Sequence, residues 1–137
     1  MIPYLDSSVA LRHLLGQPGK LDLPLERPIY TSEILFVECA RVLDRVRLLD
    51  GPPAAVIAAR LTALQRLRAA LKVVALDRAV LQRAGEAFAT PLRTLDAIHL
   101  ATALLLSVEL GEACEVLTHD HQLGHAALAH GLEFRCT

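Results

Sequence analysis

A chain of 137 residues is the size of one domain and long enough to bury a real core. With 53% hydrophobic residues, 21% charged residues and a net charge of -1, it is neither a disordered nor a highly charged polymer. No segment holds eighteen uninterrupted apolar residues, and the first six have neither a basic start nor a long apolar run, so neither a membrane span nor a signal peptide is expected. Cys39, Cys114 and Cys136 show no CxxC spacing, which suits reduced thiols in a cytoplasm better than a disulfide scaffold.

Residues 2–5 are a short apolar run ending in Asp6, and they read as a strand with Pro3 near its start. Ser7-Ser8 open a helix over 9–15 that Gly16-Gln17-Pro18-Gly19 stops. A loop with two prolines over 21–28 leads to a second strand at 29–31. Ser32 then caps a long helix over 33–49, which Gly51-Pro52-Pro53 breaks. The next helix, 54–71, carries Ile57, Leu61, Leu64 and Leu71 at helical spacing.

A third strand is expected at 73–76, with Asp77 as the cap of a helix over 78–88 that Thr90-Pro91 closes. The helix from Thr94 to Gly111 is apolar on nearly every face and is therefore expected to be buried. A fourth strand at 115–118 precedes Asp120 and a helix to about residue 130, and residues 133–135 add a last strand. Short strands alternating with helices imply a mainly parallel sheet covered on both faces. No linker, repeat or low-complexity tract divides the chain, so residues 1–137 are expected to form one α/β domain.

Acids mark the places where chemistry can occur. Asp6 and Asp120 fall at or just beyond the carboxyl ends of predicted strands, where α/β sheets bind ligands. Glu38 and Asp96 are single acids in strongly apolar helices, each placed to lean over the same edge. Alone, Asp96 would be a first-turn acid matched to the helix dipole, with Thr94 as cap, and Asp6 would be an N-cap like Asp77. Four carboxylates meeting in a partly buried site would repel one another and call for protons or cations. Hard oxygen donors favour Mg²⁺ or Mn²⁺. Such ions beside a phosphodiester polarise the phosphate and acidify water, as metal-dependent phosphodiester cleavage requires. Ser7 and Thr118 are placed to hydrogen-bond a carboxylate or a metal-bound water, or to cap locally.

The same residues carry a family resemblance. Tyr4-Leu5-Asp6-Ser7-Ser8, Val37-Glu38-Cys39-Ala40-Arg41, Leu95-Asp96-Ala97-Ile98-His99-Leu100-Ala101-Thr102-Ala103 and Leu117-Thr118-His119-Asp120-His121-Gln122-Leu123 occur in the order seen in PIN domains, and the whole is similar to toxins of the VapC type. The resemblance spans residues 4 to about 134. It implies a three-layer α/β/α fold around five parallel strands and a Mg²⁺- or Mn²⁺-dependent endoribonuclease. Its catalytic and metal-binding acids would be Asp6, Glu38, Asp96 and Asp120. It also implies RNA as substrate, a homodimer, and a cognate antitoxin of a type II toxin–antitoxin pair.

Charge is uneven along the chain. Residues 41–93 hold ten basic side chains against four acids, whereas 94–137 hold Arg135 against six. Arg41, or another arginine of that basic middle, is the candidate for positioning an RNA backbone. His119, His121 and His125 cluster near Asp120 but lack the paired Cys/His spacing of a zinc site. His99 reads as a packed or hydrogen-bonded core histidine. Two other classes share parts of the pattern. A receiver-type phosphoacceptor would want adjacent acids after the first strand and a late lysine, yet Leu5 precedes Asp6 and Lys72 is the last lysine. A catalytically silent PIN-like scaffold would bind RNA or protein without needing all four acids.

Overall fold

Ile2–Leu5 forms strand β1, and all four of its side chains are buried, as a strand covered on both faces requires. A computed structural model describes residues 1–17, 23 and 26–136. In it β1 pairs with β2 (Tyr30–Ser32) on one side, and β3 (Lys72–Val74) pairs with β2. On the other side β1 pairs with β4 (Cys114–Leu117), and β4 with β5 (Glu133–Arg135). The sheet order is β3-β2-β1-β4-β5, with every pair parallel. The expected five-stranded α/β/α architecture is what forms.

Successive side chains of β1 point to opposite faces, and two cores follow from that alternation. Leu5 joins the core under α1 (Ser7–Leu14), α2 (Ile34–Asp50) and α3 (Ala54–Ala70), with Leu35, Cys39 and Leu67. On the opposite face α4 (Arg78–Ala84) packs on α5 (Thr94–Leu110) through Val80, Ile98 and Ala101. Beside it α6 (His121–Ala129) helps to cover Tyr4, Leu100, Val116 and Leu123. Helix α5 lies between the sheet and α4, which explains its all-round apolarity. Gly111 ends it at a φ of 68°, in the left-handed region that glycine adopts without a steric penalty.

The topology positions the site. From β1 the chain moves outward to β2 and β3, then returns through α5 to β4 on the other side. The order therefore reverses between β1 and β4, and the carboxyl ends of those two strands form the crevice where such sheets bind ligands. Receiver-like sheets run 2-1-3-4-5, so this order excludes the phosphoacceptor alternative. The Leu5↔Leu117 register sets the two strand ends level, and the Asp6 N–H donates to Leu117 O at 3.0 Å.

Several boundaries differ from the sequence expectation. Strand β2 starts one residue later, β3 covers Lys72–Val74, and α4 stops at Ala84 instead of residue 88. Gly85 takes the C-cap of α4. Phe88 lies beyond the helix, under the Arg83 guanidinium at 4.3 Å from the ring centre. Arg93, and not Thr94, is the N-cap of α5, with no side-chain cap bond. The stop expected at Pro18-Gly19 and most of the loop over 21–28 lie outside the described residues.

Candidate active site

Asp6 leaves β1 at its carboxyl end and caps α1. Its Oδ2 accepts from Ser8 Oγ at 2.7 Å, from the Ser8 N–H at 3.4 Å and from Thr118 Oγ1 at 2.8 Å. Its other oxygen, Oδ1, stands 3.6 Å from His99 Nε2. Asp120 does the same for α6, with Oδ1 accepting from the N–H groups of Gln122 at 2.9 Å and Leu123 at 3.4 Å. Capping and site roles do not compete here, because each cap occupies one carboxylate oxygen and leaves the other. Asp77 is also an N-cap, accepting from the Val80 N–H at 3.0 Å, but it follows β3, away from the strand-order reversal.

Glu38 comes from α2 and Asp96 from the first turn of α5. Both Glu38 oxygens are engaged: Oε2 accepts from Ser7 Oγ at 3.0 Å and Oε1 from His99 Nε2 at 2.6 Å. Asp96 accepts no hydrogen bond from a described residue. Burial, followed by the charges of Asp120 and Asp6, pushes its carboxyl up to about 6 from an ordinary 3.8, and His99 opposes this only in part. Burial pulls His99 down, yet the Glu38 hydrogen bond and the charges of Asp6, Glu38 and Asp96 carry it above its ordinary value.

Glu38, Asp96 and Asp120 line an open cleft of about 550 Å³ with Leu92, Arg93, Thr94 and Leu95. Asp6 is tied to this group through His99 on the Glu38 side and Thr118 on the Asp120 side, since Thr118 Oγ1 also accepts the Asp120 N–H at 2.9 Å. A larger hollow of about 700 Å³ lies past Leu92, but it is lined mostly by apolar groups such as Leu81, Phe88 and Ile98, and Glu86 is its only acid. Three of the four candidate acids line the smaller cleft.

Among the described residues no three acids, histidines or cysteines form a ready cage for an ion. The donor set nevertheless fits a hard cation. Asp6 Oδ1, Asp120 Oδ2 and both Asp96 oxygens accept no hydrogen bond from a described residue, and Asp96, raised first by burial, also feels the charges of Asp120 and Asp6.

Arg41 does not join these residues. It is exposed and pairs with Asp44 at 3.4 Å on the outer face of α2. Arg93 lines the cleft in its place, with no acidic partner among the described residues. The sequence expectation covered Arg93 only as one arginine of the basic middle; the signal that singles it out is its position three residues before Asp96, where a helix start puts it beside the first-turn acid. Ser8 was missed: its Oγ accepts the His119 N–H at 3.0 Å while donating to Asp6. His119, His121 and His125 contact the C-terminal strand and the residue after it. His121 and His125 both set their rings nearly perpendicular to Phe134, and His119 Nδ1 meets Cys136 Sγ at 3.5 Å. Cys39, beside Glu38, is buried, and burial followed by the Glu38 charge pushes its thiol up to about 12, which leaves it unreactive.

The PIN domain family profile matches residues 4–129, a span that includes all four acids. Ribonuclease VapC46 of Mycobacterium tuberculosis is 35% identical to this chain over 133 residues, or 94% of this chain and 92% of the relative. Among solved structures, VapBC-1 from nontypeable Haemophilus influenzae aligns with a TM-score of 0.64 at 15% identity, over 98% of this chain and 97% of that one. PAE2754 from Pyrobaculum aerophilum aligns with a TM-score of 0.56 at 17% identity, over 97% and 89%. These two share the fold, while the family profile and the 35% identical relative fix the lineage: the chain belongs to the PIN-domain family, on its VapC-type branch.

Proposed function

We propose that this protein is a Mg²⁺- or Mn²⁺-dependent endoribonuclease, the toxin of a type II toxin–antitoxin pair, acting through Asp6, Glu38, Asp96 and Asp120. One observation carries the reading. Glu38, Asp96 and Asp120 line one cleft near the point where the strand order reverses, and burial, followed by the charges of Asp120 and Asp6, pushes Asp96 up to about 6. The lineage supports the substrate class, since the relative that is 35% identical is named a ribonuclease.

When bound, a divalent cation would offset the charge of the acids and of the phosphodiester and would make water a better nucleophile. The open oxygens of Asp6 and Asp96 would hold it, with Asp120 and the fixed carboxylate of Glu38 completing the site directly or through waters. Water would add in line to phosphorus as the bond to the 3′ oxygen breaks, leaving a 5′-phosphate and a 3′-hydroxyl. Arg93, at the rim, would meet a backbone phosphate oxygen. A homodimer, an antitoxin that blocks the cleft and a cytoplasmic setting complete the proposal. No helix among the described residues is long and apolar enough to cross a membrane.

The test is a calorimetric Mn²⁺ titration followed by RNA cleavage, on wild type and Asp96→Asn. Asp96→Asn removes a carboxylate that has no hydrogen-bond partner among the described residues, so the fold should persist. Binding and cleavage that both vanish in the variant support the reading. A folded wild type that binds no Mn²⁺ overturns the mechanism. A wild type that binds Mn²⁺ and RNA but cuts none of a pool of structured and unstructured RNAs favours the silent scaffold.

A further inference from the structure

The Glu38 carboxylate is held by a support that reaches through the sheet into the core. We infer that His99, braced by Tyr4, is the positioning residue that fixes Glu38 for the reaction, and that cation affinity and turnover depend on it. The inference rests on the ribonuclease reading above.

The geometry leaves His99 little freedom. Tyr4 and His99 are both almost wholly buried. Tyr4 Oη lies 2.8 Å from His99 Nδ1, and the two rings meet edge-on with centres 5.9 Å apart. On the other side of the imidazole, Nε2 lies 2.6 Å from Glu38 Oε1. An ionised carboxylate only accepts, so Nε2 carries the proton and donates it. Tyr4 belongs to the central strand and His99 to α5, so the ring is aimed by two rigid elements. Glu38, by contrast, has a long and flexible side chain whose ordering costs rotamer entropy.

Ser7 holds the second Glu38 oxygen, so the line Tyr4–His99–Glu38–Ser7 joins β1, α5, α2 and α1. Helices α2 and α5 cover opposite faces of the sheet, and the Glu38–His99 bond links them at the strand ends. Without it Glu38 keeps only its Ser7 bond among the described residues, and the site loses a hydrogen-bond donor set between Glu38 and Asp6. Supporting groups of this kind, one step removed from a cation, change affinity or activity by about 10- to 100-fold when lost.

The experiment compares wild type, His99→Leu, His99→Gln and Tyr4→Phe. Each is measured for Mn²⁺ affinity by calorimetry, for kcat and KM on one RNA, and for its unfolding midpoint without metal. His99→Leu fills similar space without a donor and should lower Mn²⁺ affinity or kcat by about 10- to 100-fold with KM for RNA little changed. His99→Gln restores an N–H near the Nε2 position and should recover most of that loss. Tyr4→Phe keeps the packing, frees the imidazole and should give an intermediate loss of a few-fold.

A folded His99→Leu that matches wild type in both readouts overturns the inference. If His99→Leu does not fold, the other two variants decide: Gln near wild type with Phe impaired supports the positioning role, and any other pairing overturns it. Mn²⁺ affinity serves even where the RNA chosen is a poor substrate. A wild type that binds no Mn²⁺ is a failure of the ribonuclease reading itself, seen before any variant is compared.

Discussion

Thr118 reaches Asp6 across 112 positions of sequence, its hydroxyl donating to Asp6 Oδ2 at 2.8 Å while accepting the Asp120 N–H at 2.9 Å. The contact is a product of register, because pairing Leu5 with Leu117 sets the next residues of both strands side by side. One buried hydroxyl thereby fixes the separation of two site acids.

Thr118→Val keeps the shape and removes that bridge. The Asp120 N–H would lose its acceptor and Asp6 one of its donors, a cost of about 1 to 3 kcal/mol in unfolding free energy. RNA cleavage should fall by about tenfold or more as the acids separate, while Thr118→Ser should retain most of both properties. Denaturant unfolding and a cleavage assay check this, and a Val variant equal to wild type in both would refute it.

The pH dependence of the metal-free protein follows from Asp96. Unfolded, it releases its proton near 3.8, whereas in the fold it keeps it to about 6. Between those values the folded state binds more protons, so stability falls as pH rises through the window and stays lower above it. His99 acts in the same direction: its raised pKa gives stability that is full below its ordinary 6.5 and is lost as pH climbs through the folded value. Asp96→Asn should flatten the decline between pH 4 and pH 6 and leave a metal-free protein more stable than wild type at neutral pH. Urea midpoints across that range decide it. Asp96 is only half-buried, so solvent screening keeps the difference modest. An Asn variant with the wild-type pH profile would show that the fold does not hold the Asp96 proton above its ordinary range.

The strand–helix alternation and all four acids were legible in the sequence because each follows from local pattern: apolar runs, caps and single acids in apolar helices. What brings the acids together was not legible. The reversal between β1 and β4 depends on which strands pair, and the Thr118–Asp6 bond depends on their register. Single-sequence periodicity reports neither. Arg41 was a reasonable candidate by helical spacing from Glu38, but i,i+3 neighbours share a face only approximately, and Asp44 draws it outward. Arg93 lay within the basic middle but was not singled out there, because the turn into α5, and not helical spacing, sets its direction. His99 was read as a buried, hydrogen-bonded histidine, which it is, but its partners lie 61 and 95 positions away.

Arg93 and Arg41 give a paired test. Arg93→Ala should weaken RNA binding, raise KM with kcat little changed, and reduce the slope of log affinity against log salt by about 1, the signature of one lost phosphate contact. Arg41→Ala should change neither, because its guanidinium already faces Asp44 on the outer surface. Fluorescence-anisotropy titrations of a labelled RNA at several salt concentrations measure this. Equal slopes for Arg93→Ala and wild type would remove Arg93 from the RNA path.

Gly124 carries a prediction about stability alone. It lies in α6 beneath Phe134 of β5, and a β-carbon there would sit 2.5 Å from Phe134 Cδ2 and 2.6 Å from Cε2. The ring cannot retreat freely, because His121 and His125 flank it edge-on with centres 6.2 and 6.0 Å away. In an ordinary helix interior Gly→Ala would stabilise by up to about 1 kcal/mol. Here overpacking should reverse the sign, costing about 1 to 3 kcal/mol. Gly124→Ala combined with Phe134→Leu should recover part of the loss, so the double-mutant cycle should show a favourable coupling between the two positions. Chemical denaturation of the four proteins measures it. A Gly124→Ala variant more stable than wild type would mean that β5 moves aside, and the close packing of α6 on β5 would then have to be abandoned as the reason for glycine at this position.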